Sequence, residues 1–92
     1  MKYTPYYTNQ IKKQLKFLKK RGYDMSLFKA VVDLLLDGVP LDPKHRDHPL
    51  KGTYKGYRDC HIQDDWVLIY KIDEGILTLI LAETGTHSDI FE

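Results

Sequence analysis

Between Tyr57 and Ala82 the chain offers three short apolar runs separated by two tight turns. The runs are Tyr57–Ile62, Trp66–Ile72 and Ile76–Ala82; the turns are Gln63-Asp64-Asp65 and Asp73-Glu74-Gly75. Connections this short join antiparallel strands and cannot hold a crossover. The segment is therefore expected to be a three-stranded meander, with the most apolar run, Trp66–Ile72, in its centre.

Upstream the apolar spacing changes from period two to period 3.6. Lys2–Tyr7 carries β-favouring tyrosines, but Pro5 confines it to an edge strand. Thr8 can cap a helix on which Ile11, Leu15 and Leu18 recur, and Gly22 stops it. Asp24 can cap a second helix, with Leu27, Phe28, Val31, Val32, Leu34 and Leu35 on its buried side and Gly38 and Pro40 at its end. Residues 39–56 hold three prolines and two glycines and read as one long irregular loop. Loops of that length in a small domain are usually functional or disordered. Ninety-two residues make a single domain, 1–92, in the order β-α-α-β-β-β. The expected class is α+β: two N-terminal helices packed on a small, mostly antiparallel sheet.

Charge is unevenly placed. The first twenty-two residues carry seven basic side chains and no acid, although the whole chain is only +1. Lys12 and Lys16 lie on the non-apolar faces of the first helix and point to a polyanionic partner, or to a merely solvated face. No apolar run approaches a membrane span, and no secretory signal is expected. Cys60 has no second cysteine to pair with, which fits a reducing cytoplasm.

Three histidines stand at the ends of apolar runs or in loops: His48, His61 and His87. Histidine exchanges protons near neutral pH, so three on one small domain suggest acid–base work on a phosphate ester. In a meander the end of the first strand, the first turn and the end of the third strand share one sheet edge. That brings His61, Asp65, Trp66 and the Thr84–His87 segment together. Alternation places Tyr57, Asp59 and His61 on one face, with Arg58, Cys60 and Ile62 on the other. Cys60 is thus turned away from His61 and is no nucleophile. His48 cannot be placed from topology, and His45 reads as a surface residue. Each histidine also has an ordinary use: His61 satisfied by Asp59 or Asp65, His87 capping a terminal turn, His48 in a turn before Pro49. Trp66 suits either the core or a platform for a base. Phe91, next to the last residue, is the aromatic most expected to stay accessible. His61 and Asp65 could share an ion, but no Cys pair or His-x-x-x-His spacing completes a ligand set, so no metal or cofactor is expected.

Three ordered segments, Asp47-His48-Pro49-Leu50-Lys51-Gly52, Gly56–His61 with Asp65–Lys71, and Thr84–Phe91, strongly resemble the YafQ branch of the RelE toxin superfamily. The resemblance spans nearly the whole chain. It implies a RelE-like fold and a bacterial, cytoplasmic type II toxin that cuts mRNA in the ribosomal A site. It also implies a cognate antitoxin, and operator DNA bound only as the toxin–antitoxin complex. The matching functional positions are His48, His61, Asp65, Trp66, His87 and Phe91. His87 is then the candidate general acid; His61, helped by Asp65, and His48 would position or deprotonate; the base is left open. Trp66 and Phe91 would hold the nucleotide. Lys51 and Arg58 are available cations, and the lysines of the first helix would meet ribosomal RNA.

One position departs from the pattern. Relatives often carry Arg two residues before the Gly of the Thr-Gly-Thr-His segment, and this chain has Glu83. A carboxylate cannot stabilise a phosphorane. Either another cation compensates, activity is weakened, or the chain is a noncatalytic protein that binds only antitoxin and operator DNA.

Overall fold

The computed structural model describes residues 1–91. Strand β1 (Thr4–Tyr7) leads into α1 (Asn9–Lys20) and α2 (Met25–Leu36). After a loop containing the short strand β2 (His48–Pro49) come β3 (Arg58–Gln63), β4 (Trp66–Asp73) and β5 (Thr78–Thr86), then the one-turn helix α3 (His87–Phe91). The five strands form one sheet in the order β1-β5-β4-β3-β2. β1 pairs parallel with β5 on one edge, and every other pairing is antiparallel. The expected α+β layout is the observed one.

The helix starts follow the caps read from sequence. Thr8 Oγ1 accepts from the Ile11 N–H at 3.1 Å and donates to the Ala82 carbonyl at 2.7 Å. One hydroxyl thus caps α1 and ties it to β5. Asp24 caps α2 through the Ser26 N–H at 2.9 Å. The two helices cover one sheet face, where Ile11, Leu18, Phe28, Val31, Val32 and Leu35 meet Cys60, Leu68, Tyr70, Leu79 and Leu81. Burial of these side chains supplies most of the drive to fold.

Four details differ from the sequence expectation. Leu34 lies on the outside of α2, 37% exposed, and Leu36 is buried in its stead. The loop is not wholly irregular: 3-10 turns at Pro43–His45 and Gly52–Tyr54 flank β2. β2 is only two residues long and leaves no periodicity in the sequence. β5 begins later and runs further than Ile76–Ala82. Ile76 and Leu77 belong to the hairpin, and Thr84–Thr86 extend the strand to the edge of α3.

The sheet contains an offset that matters for the site. Opposite Ile69 stands Glu83, but opposite Tyr70 stands Leu81. Ala82 is therefore an extra residue on β5, a bulge that exchanges the two faces. Leu79 and Leu81 point to the helices, whereas Glu83 joins Ile69, Asp59 and His48 in one row across the other face.

Candidate active site

The second face of the sheet gathers the titratable side chains. β2 pairs His48 directly opposite Asp59, and two residues along β3 stands His61. Directly opposed residues point the same way, so all three share a face with Val67 and Ile69. The turn into α3 delivers His87 to this face. Gly85 makes that turn possible: its φ is +155°, and a Cβ there would stand 3.2 Å from the Asp89 side chain.

The imidazoles of His61 and His87 lie 5.3 Å apart, centroid to centroid. His61 and His87 thus meet, as the meander topology implies. Asp65 accepts from His87 Nδ1 at 2.7 Å. Its expected partner was His61; instead, His61 Nδ1 donates to the Asp64 carbonyl at 2.8 Å. The left-handed Asp64, at φ 48°, is part of the hairpin beside it. His48 Nδ1 donates to the Arg46 carbonyl at 2.6 Å. Carbonyl acceptors put a proton on Nδ1 in both residues and leave Nε2 outside these bonds. The hydrogen bond from His87 holds the Asp65 carboxyl below its ordinary pKa.

Asp59 lies at the centre and was not singled out from the sequence. It is 2% exposed, and its Oδ1 has no hydrogen-bond partner. Its Oδ2 stands 3.9 Å from His48 Nε2. Burial raises its pKa, opposed by the nearby His48, His61 and His87. The alternation that paired Asp59 with His61 was the available signal.

Several expectations are corrected. Trp66 is 2% exposed, edge-on to Tyr23 at 5.1 Å and stacked on Phe28 at 6.3 Å. Its Nε1 donates to Thr84 Oγ1 at 2.9 Å. It faces the helices and has no free ring surface for a base. Arg58 shares that helix-side face with Cys60, and its Nε donates to Asp47 at 3.1 Å. It is turned away from His61 and is not a free cation for a phosphate there. His45 is half-buried: its Nδ1 donates to the His61 carbonyl at 2.6 Å, fastening the loop to β3. Lys51, Lys12 and Lys16 are exposed, and Phe91 is 42% exposed beside His87.

Two hollows flank the cluster. A groove of about 810 Å³ runs between α2 and β3 and reaches His61, Asp64 and Arg46. A smaller one, about 460 Å³, lies against Arg21, Tyr23, Asp65 and Thr86. Among the described residues no group of three or more His, Cys, Asp or Glu is arranged to hold a metal ion. None of the described helices is long and apolar enough to cross a membrane.

By class, the chain is a bacterial toxin of a type II toxin–antitoxin system, as the comparisons with known proteins show. The family model described as "Bacterial toxin of type II toxin-antitoxin system, YafQ" matches residues 3–92. The chain is 42% identical over 86 residues to the mRNA interferase toxin YafQ of Escherichia coli K12, covering 92% of this chain and 91% of that protein. It matches toxin in the crystal structure of the E. coli DinJ-YafQ toxin-antitoxin complex at a TM-score of 0.89 and 39% identity, with all of both chains covered. The crystal structure of a metal-bound toxin from Helicobacter pylori matches at a TM-score of 0.91 and 42% identity, covering 97% of this chain and 99% of that one. The chain belongs to the YafQ toxin family.

Proposed function

We propose that this chain is an mRNA endoribonuclease that acts on the ribosome and is neutralised by a cognate antitoxin. What carries this reading is the convergence of His48, His61 and His87 around the buried Asp59, with His87 held by Asp65. The Escherichia coli relative named as an mRNA interferase supports the substrate class, and the DinJ-YafQ complex supports the antitoxin partner.

Cleavage without a metal uses the RNA's own 2′-OH. The O2′–P bond forms, the P–O5′ bond breaks, and a 2′,3′-cyclic phosphate remains. One group takes the 2′ proton and another gives a proton to the leaving 5′-oxygen. His87 is the proposed acid: Asp65 fixes its Nδ1 side and so directs Nε2 outward. His61 is the proposed base, because its Nδ1 is committed to Asp64 while Nε2 is available beside His87. His48 and Asp59 would orient the phosphate end of the site. Phe91, exposed beside His87, is the aromatic left to stack on a base once Trp66 is assigned to the core. Lys51 and the α1 lysines, Lys12 and Lys16, would contact the phosphates of mRNA and ribosomal RNA.

The test is single-turnover cleavage of a defined mRNA, with and without programmed ribosomes. Cleavage confined to the ribosome and lost in His87→Ala is the expected result. A folded wild-type protein that binds antitoxin but cuts no RNA would instead make it a binding protein only.

A further inference from the structure

Glu83 replaces an expected cation, and its surroundings give it a different use. The Ala82 bulge turns it out of the helix-facing row and onto the site face. There its Oε2 accepts from the Tyr54 hydroxyl at 2.5 Å. The Tyr54 ring meets the edge of Phe91 at 5.6 Å and 75°. The Phe91 ring in turn lies 5.7 Å from the imidazole of His87. A continuous line of side chains thus runs from Glu83 through Tyr54 and Phe91 to His87.

The helix that carries His87 needs a prop. α3 is five residues long, too short to be stable in isolation. Its start is well fixed. The Thr86 N–H donates to the Asp89 carboxylate at 3.1 Å, and the Asp89 N–H donates back to Thr86 Oγ1 at 3.1 Å. Its other end is backed by Tyr54. Among the described residues, the Tyr54–Glu83 bond is the only side-chain hydrogen bond between the Gly52–Tyr54 turn and the sheet. A carboxylate acceptor makes such a bond strong. The bond and partial burial push the Tyr54 hydroxyl up to about 12, so it remains a donor wherever histidines titrate.

We propose that Glu83 and Tyr54 form a strut that positions Phe91 and, through it, His87 for proton transfer. The proposal rests on the endoribonuclease reading above. In this protein the residue at position 83 acts on the geometry of the acid, not on the charge of the phosphate.

Four variants test it: Glu83→Ala removes the acceptor, Tyr54→Phe the donor, the double variant both, and Glu83→Gln keeps an acceptor without the charge. Single-turnover cleavage on programmed ribosomes is measured beside histidine-ring NMR of the free protein. Glu83→Ala and Tyr54→Phe should each slow cleavage between about ten- and a hundred-fold, the cost of a displaced catalytic group. The double variant should be no slower than either single one, and affinity for ribosomes without mRNA should be unchanged. Glu83→Gln should recover most of the lost rate. The His87 ring resonances should move in the Ala and Phe variants and stay near wild type in Gln. Three outcomes would overturn the strut: unmoved His87 resonances, variants less stable but equally fast per folded molecule, or a Glu83→Gln protein faster than wild type. The last would make Glu83 an electrostatic brake. A wild type that cleaves nothing removes the nuclease reading, and the NMR arm still decides whether the strut exists.

Discussion

The Asp65 carboxylate receives a hydrogen bond from His87 Nδ1 at 2.7 Å, across twenty-two residues of chain. The two sit on different elements, the β3–β4 hairpin and the start of α3, so their meeting depends on the whole sheet being in register. His87 makes this bond with Nδ1, which leaves Nε2 outside it.

His87→Ala should slow single-turnover cleavage about a hundred- to ten-thousand-fold, the usual cost of losing a general acid. Asp65→Asn should cost less, roughly ten- to a hundred-fold, because an amide oxygen still accepts from Nδ1 and misplacement is the main loss. Equal losses in the two variants would show that Asp65 does more than orient.

Trp66 separates the core reading from the nucleotide-platform reading. Trp66→Ala should destabilise the fold by about 3–5 kcal/mol, as large-to-small core changes do. Trp66→Phe should keep most of the packing and most of the cleavage activity. Urea melts beside cleavage rates on the folded fraction make the comparison. A stable Trp66→Ala protein that fails to cut would return Trp66 to the RNA.

Asp59→Asn should trade function for stability. Burial raises the folded-state pKa of Asp59 above its unfolded value. A carboxyl so shifted favours the fold below its unfolded pKa, and that contribution is lost as pH rises through the folded pKa. The Asn variant does not titrate. Its stability relative to wild type should therefore grow as pH climbs from about 3.8 through the raised value, then level off. Urea midpoints across that window should show it, while cleavage falls by about ten-fold or more. A gap that shrinks with rising pH contradicts the assignment.

Charge reversal at Lys12, Lys16 and Lys19, all exposed on α1, should weaken ribosome binding and flatten its dependence on salt. Melting temperature should barely change. Affinity that stays at the wild-type level throughout a salt titration marks these lysines as a solvated face only.

Cleavage should persist when transition metals are stripped and magnesium is kept to hold the ribosome together. The proton-transfer set proposed here requires none. Abolished cleavage, restored by one added metal ion, would overturn metal independence.

The sequence was most informative where local chemistry decides the outcome. Thr8 and Asp24 announce their helices because a side-chain oxygen satisfies the first free N–H groups. The turns at 63–65 and 73–75 fix the meander and, with it, the meeting of His61 and His87. What stayed hidden depends on register and long-range packing. β2 has two residues and becomes a strand only because β3 lies beside it, so the position of His48 could not be read. The Ala82 bulge leaves no local trace, yet it decides which way Glu83 points. Trp66 looks alike in sequence whether it packs on Phe28 or on a base. Asp65 pairs with His87, and the Asp64 carbonyl takes the Nδ1 bond of His61, a choice between adjacent acceptors that no local pattern reveals.

Cys60 lies one residue from His61 and wholly within the core, at 0% exposure. Burial in apolar surroundings pushes its thiol pKa up, so little thiolate forms at physiological pH. Oxidants and alkylating agents therefore have no route to this sulfur while the sheet stays closed against α2. Any modification found on it records an opening of the molecule. The chain thus carries an internal gauge of unfolding beside its histidines, readable by thiol labelling without an added probe.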